Sequence, residues 1–137
     1  MNVIKSNTEF LSAFTRAVKN KPSFVYIASY KIRVDKKFKS IMLAIPQKAD
    51  TKILIGLDLT ATKKQISFYK SFFKDYDYKV VKKCHMKLII TDKVAIIGGR
   101  NITNSDWLDF SFEFTSKDVI NKIAKEFLRE FNKIKPL

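Results

Sequence analysis

The sequence predicts an α/β protein, a mixed β-sheet flanked by helices on both faces. Stretches with a 3.6-residue apolar period alternate with apolar runs too short for helices, notably residues 23–30 and 52–58. The first is a continuous apolar run rich in β-branched and aromatic residues, as a strand buried on both sides requires, and the second reads as another central strand ending near Asp58. Later in the chain, residues 86–91 and 94–97 read as two more buried strands joined by a tight turn at Asp92-Lys93, and 110–115 alternate with period two.

Taken in order, Ser6 with Glu9 three residues on supplies capping-box chemistry for a first helix. Phe10, Phe14 and Ala17/Val18 keep helical spacing, Leu11 widens the stripe, and Asn20-Lys21-Pro22 ends it. After the strand at 23–30, a helix over 35–48 turns Phe38, Ile41, Met42 and Ile45 inward, with Pro46 marking its end. The strand at 52–58 leads to a helix over 62–75 with Ile66, Tyr69, Phe72 and Phe73 on one side, then a short alternating strand at 76–81. Residues 101–109 are polar and irregular and hold Trp107, the only tryptophan. The last helix, 117–135, places Val119/Ile120, Ile123, Phe127 and Phe131 at core spacing and ends in a basic turn, as the helix dipole prefers. No linker, low-complexity tract or internal repeat interrupts this order, so 1–137 reads as a single domain.

Lys and Arg total 27 against 13 Asp and Glu, a formal charge of +14. Such an excess favours polyanions, nucleic acid first and anionic membrane second, although a solvated lysine surface also accounts for it. A 46% hydrophobic content with 12 Phe and 5 Tyr excludes a disordered chain. The single cysteine, Cys84, excludes an intramolecular disulfide and fits a reducing compartment. As strand neighbours, Cys84 and His85 face opposite ways, which sends the thiol into the core. One His and one Cys cannot make a zinc set, so no metal site is expected. No apolar signal core or membrane-length stretch is present, and with no membrane anchor the expected location is the cytoplasm, of a cell or of an infected host.

The chemistry concentrates in residues 84–101, which hold His85, the only histidine, and Gly98 and Gly99, two of the three glycines. His85 and Lys87 lie two apart in a strand and so project from one face. A neutral imidazole supplies a nucleophile for phosphorus, and a fixed ammonium beside it stabilises charge on the phosphoryl oxygens. Asn101 follows the glycines, where its amide can donate to the same oxygens.

His85, Lys87, Asp92 and Gly98-Gly99-Arg100-Asn101 together resemble the signature of the phospholipase D superfamily: His-x-Lys, four residues, Asp, then a Gly-Gly/Ser-x-Asn tail. The form is that of its single-motif endonucleases. Glu113 falls where family members place the carboxylate that binds the other nitrogen of the histidine ring. A carboxylate between Phe112 and Phe114 is costly unless paired, which agrees with that role. Two departures stand out: the turn after Asp92 is tight, and the common Gly-Ser is here Gly-Gly, which removes a hydroxyl that could touch phosphate.

The resemblance implies a phospholipase D-like α/β sandwich and a metal-independent phosphodiesterase without cofactor. One His85 attacks phosphorus to give a phosphohistidine, a second protonated histidine donates to the leaving oxygen, and water then releases the product. Family sites combine two copies of the signature and this chain has one, so two chains are expected to meet about a two-fold axis. Asp92, Gly98 and Gly99 are expected to support the site. Arg100 either contacts substrate phosphate or pairs with Asp106 or Asp109. Trp107 stacks a base or anchors its loop. Tyr76 and Tyr78 beside Lys79, Lys82 and Lys83 suit a nucleic-acid groove or core packing. The leading expectation is a nuclease acting on DNA or RNA. The alternatives are a lipid phosphodiesterase or phosphatidyl transferase, and a catalytically silent nucleic-acid-binding dimer.

Overall fold

A computed structural model describes residues 1–57, 60–82, 84, 86–99, 102 and 109–135. In order, the elements are β1 (Asn2–Ile4), α1 (Asn7–Lys19), β2 (Phe24–Ser29), α2 (Lys36–Leu43), β3 (Asp50–Gly56), α3 (Lys63–Phe72), β4 (Asp77–Val81), β5 (Leu88–Thr91), β6 (Ala95–Gly98), β7 (Ser111–Phe114) and α4 (Lys117–Lys133). The strands form one seven-stranded sheet in the order β1-β7-β6-β5-β2-β3-β4. β2, β3 and β4 run parallel, while β5, β6, β7 and β1 add antiparallel, so the sheet is mixed as expected.

Alternation along the central strands divides the core in two. Val25 and Ile27 of β2 face one side and Tyr26 and Ala28 the other. The first side is covered by α1 and α2 through Phe10, Phe14, Phe38 and Ile41, with Ile66, Tyr69 and Phe72 of α3 packed at its margin. The second is covered by α4, whose Ile120, Ala124, Phe127 and Phe131 lie over β5 and β6. Cys84 is buried on this second side, as the alternation requires.

Several boundaries move for identifiable reasons. β1 has no counterpart among the expected strands; it pairs with β7 from Asn2 opposite Glu113 to Ile4 opposite Ser111. α2 stops at Leu43 rather than near Lys48, because Pro46 disfavours helical backbone at Ile45. Residue 58, the expected end of the second central strand, lies outside the described residues, and β3 closes at Gly56. At α1, Ser6 Oγ accepts from the Glu9 N–H at 3.1 Å, but the Glu9 carboxylate accepts from Lys5 at 2.9 Å instead of from Ser6. The complete reciprocal box is at α3, between Thr62 and Gln65.

At the far end of the sheet, Lys52 Nζ reaches Asp50 at 2.9 Å and Asp77 at 3.2 Å, and the Tyr26 hydroxyl donates to Asp50 at 3.2 Å. Burial alone would lower the Lys52 ammonium, yet its hydrogen bonds to the two aspartates prevail and raise it. Burial, then Asp50, raises Tyr26; burial, then Asp75, raises Tyr76; burial raises the Cys84 thiol. All four groups hold their protons to higher pH in the folded chain than in the unfolded one. Their stabilisation is therefore complete below their ordinary values, 9.0 for Cys84 and 10.0 for the tyrosines, and is lost as pH rises through the raised ones. The urea midpoint is expected to fall steadily between about pH 9 and pH 11, with Cys84→Ala removing the earliest part of the decline. A midpoint flat over that range would contradict this account.

Candidate active site

The site end of the sheet is set by strand register. Lys87 stands immediately before β5, and its carbonyl accepts from the Gly98 N–H at 3.2 Å. Gly98 is in turn opposite Ser111 on β7. Lys87, Gly98 and Ser111 thus stand abreast on neighbouring strands. Ala28 lies opposite Leu88, so the carboxyl end of β2 opens at the same end, as do those of the parallel β3 and β4. Crevices outside the carboxyl ends of parallel strands are the usual ligand sites of such sheets.

Lys87 is half-buried, beside a crevice of Phe10, Gly98, Ile102 and Ser111 too tight for a water molecule. Gly98 permits this closeness. A β-carbon there would come within 2.5 Å of Ser111 Cα and 2.6 Å of the Phe110 carbonyl oxygen, both backbone atoms that cannot yield. Gly99 extends the ladder, donating to the Phe110 carbonyl at 3.3 Å. Its missing side chain has a different occupant: a β-carbon on Gly99 would lie 2.5 Å from Asp109 Oδ2 and closer still to Oδ1. Where the family's common pattern has serine, the Asp109 carboxylate occupies the side-chain space of Gly99. One oxygen of that carboxylate also accepts from the Phe110 N–H at 2.7 Å.

Glu113 lies elsewhere. It is opposite Ile96, two residues further along β7 than Ser111, or roughly 7 Å from the level of Lys87. Its carboxylate accepts from Asn2 Nδ2 at 3.4 Å and sits 3.9 Å from Arg16, at the rim of a cavity that also includes Lys93 and Val94. The structure brings Asp109, not Glu113, to the glycines. From the sequence Asp109 reads only as a partner for Arg100, although residues 109, 111 and 113 share one face if the strand period is continued backwards.

Asp92 is at the opposite end of β5 from Lys87, roughly 17 Å along the strand. It accepts from the Ser23 N–H at 2.9 Å, while Thr91 Oγ1 accepts from Lys93 and Val94 and Lys93 Nζ reaches the carbonyl of Lys21 at 2.9 Å. These bonds fix the β5–β6 turn against the α1–β2 connection, so Asp92 closes a turn rather than lining the glycine end. Tyr76 and Tyr78 pack around Phe73 with ring centroids 6.1 and 6.0 Å away, and Lys79 lies over Phe131, donating to its carbonyl at 2.6 Å. Core packing accounts for that stretch; Lys82 is exposed just beyond β4, at the site end. His85, Lys83, Arg100, Asn101 and Trp107, together with Asp106, lie outside the described residues.

The neighbours of the two central residues are nonetheless firmly held. Ile102, next to Asn101, is buried, bridges Ile32, donates to Ser29 Oγ at 3.1 Å and accepts from the Arg33 N–H at 2.6 Å. Ser29 is itself fully buried and also donates to the Lys31 carbonyl. Cys84, next to His85, puts its carbonyl oxygen against Gly56, 3.0 Å from where a β-carbon would be.

This architecture is the phospholipase D-like fold. The phospholipase D family member Nuc from Salmonella typhimurium matches with a TM-score of 0.73 at 14% identity, over 96% of this chain and 94% of that one. NucT from Helicobacter pylori matches with a TM-score of 0.69 at 15% identity, over 93% and 92%. TrmBL2, described as an archaeal chromatin protein with a novel mode of DNA binding, matches with a TM-score of 0.71 at 12% identity, over 98% of this chain and 52% of that one. No family model matches the sequence, and neither does any curated protein. Among the described residues no helix is long and apolar enough to cross a membrane.

Proposed function

We propose that the protein is a phosphodiesterase that cleaves DNA or RNA without a metal ion, through a phosphohistidine formed at a site shared by two chains. The observation that carries this reading is the convergence at one sheet end. Lys87 stands level with Gly98, the Asp109 carboxylate fills the side-chain space of Gly99, and the residues bordering His85 and Asn101 are pinned beside them. Lys87 is half-buried beside the glycines, and a substrate phosphate is an anion its ammonium can bind.

In this scheme an imidazole nitrogen of His85 attacks phosphorus, and the bond to the leaving oxygen breaks as the nitrogen–phosphorus bond forms. The protonated His85 of a second copy gives its proton to that oxygen. The same ring, now neutral, takes a proton from water, which displaces the first histidine from phosphorus. Lys87 and Asn101 stabilise the charge on the non-bridging oxygens. To Asp109, whose carboxylate lies against Gly99, the scheme gives the task of holding the imidazole in its reactive tautomer, while Glu113 pairs on the α1 flank. The chain has one histidine, so the acid must come from another copy. Val3, Phe110 and Phe112 expose apolar surface on β1 and beside β7, next to Asp109 and beyond the strands that α4 covers, and that surface suits the two-fold contact.

A second reading, binding without cleavage, is favoured by the likeness to TrmBL2. One experiment separates them. With EDTA present, the protein is expected to hydrolyse bis(p-nitrophenyl) phosphate and labelled DNA or RNA oligonucleotides at the rate seen without it. Binding with no cleavage of any of these supports the silent module, and cleavage that EDTA abolishes and magnesium restores rejects the metal-free scheme.

A further inference from the structure

An open cavity of about 270 Å³ lies between the carboxyl ends of β2 and β3 and the first turn of α3. Lys31 and Arg33, both exposed, form its basic wall, and Gln65 and Tyr69 of α3 face them across Gly56. The first turn of α3 carries Lys63 and Lys64 and no acidic residue. The Tyr69 hydroxyl donates to the Ile32 carbonyl at 3.0 Å, holding α3 against the segment that bears the two cations.

The cavity is built onto the backbone of the candidate site. On one side Gly56, part of its floor, lies against the Cys84 carbonyl, one residue before His85. On the other, Ile32 bridges Ile102 and Arg33 donates to it, one residue after Asn101. The cavity's lining therefore touches Cys84 and Ile102, the chain neighbours of the two residues that would hold the reacting phosphate.

We infer that this cavity is a subsite for a second phosphate, the one adjoining the scissile phosphate on a nucleic-acid strand. The inference rests on the phosphodiesterase reading and adds to it the residues that would hold the strand beside the scissile phosphate. A second anion site one step from the first serves only a substrate whose phosphates repeat. Lys31, Arg33 and the Gln65 amide supply the groups a phosphate needs, and Ile32, Leu57 and Ala61 supply apolar surface beside them. Lys31 and Arg33 would neutralise the phosphate and fix the strand's register, leaving the choice of base to other groups.

The test uses full-length protein with a His85→Ala background, so that binding is read without cleavage, and a labelled single-stranded oligonucleotide measured by anisotropy over a range of salt. Lys31→Ala/Arg33→Ala is expected to raise Kd at least fivefold and to flatten the slope of log Kd against log salt by about 0.7, the contribution of one phosphate neutralised on a single strand. Lys122→Ala/Lys125→Ala removes the same charge from the exposed side of α4, and its Kd is expected to change less than twofold. Equal effects of the two pairs, or no binding by the parent protein, would overturn the subsite. Hydrolysis of bis(p-nitrophenyl) phosphate by the wild-type chain is read in parallel. A protein that binds through Lys31 and Arg33 yet hydrolyses neither this ester nor any oligonucleotide keeps the strand site and loses the phosphodiesterase reading.

Discussion

Replacing Lys87 with alanine is expected to lower kcat/KM by about 10² to 10³, the cost of removing one preorganised donor from a transition state that gathers negative charge. The fold should survive, because the carbonyl of residue 87, which accepts from Gly98, is untouched by the change. Arginine at 87 should restore little, since a planar, delocalised guanidinium does not reproduce the compact point charge of an ammonium. The same variant tests whether two chains share the site. In subunit-exchanged mixtures with excess Lys87→Ala, activity should fall faster than dilution of wild type alone would give. A strictly proportional fall would mean that each chain works by itself, and near wild-type turnover by Lys87→Ala would remove the residue from the chemistry.

The second large effect separates two carboxylates that the sequence alone ranks the other way. Asp109→Asn is expected to reduce kcat by about 10² to 10⁴, the range for an orienting carboxylate made into an amide, with little change in KM. Glu113→Gln should cost no more than about threefold, because its partners are the exposed Arg16 and Asn2. The pH profile provides a readout that a purely structural role would not move: loss of Asp109 should lower the pKa of the histidine seen in kcat, by withdrawing the charge that stabilises imidazolium. Equal damage from both substitutions, tracking thermal stability, would make both carboxylates structural.

How much is legible in advance follows from what each element depends on. β2 is a continuous apolar run, and the two-sided burial of Val25 to Ser29 is what such a run requires. The inward thiol of Cys84 follows from simple alternation. β1 is not legible because three residues with a single inward side chain, Ile4, carry no measurable period. The Glu113 assignment fails to bring that side chain to the glycines for a related reason. Periodicity gives the face on which residues 109, 111 and 113 lie, but their level along the sheet is fixed by pairing with Gly98 and Gly99, a long-range fact. Asp92 sits in the signature by sequence and in a distant turn by geometry, because a hairpin carries its own turn away from its open end. The roles of His85, Asn101, Arg100, Trp107 and Lys83 rest on the sequence pattern and on the neighbours that hold them.

The pairing of β1 with β7 also bears on how the chain reaches this state. β5, β6 and β7 follow one another in sequence, with 3 and 12 residues between them, and the β2–α2–β3–α3–β4 half is likewise built from successive elements. Joining Asn2 to Glu113 closes a separation of 111 residues, the costliest loop in the sheet. That closure returns only a three-residue strand and the burial of Ile4, so it becomes favourable only after the rest of the sheet has already drawn its ends together. β1 is accordingly the last strand to dock and the first to leave, and each opening would uncover the edge of β7 beside Asp109 and withdraw Ile4 from the core.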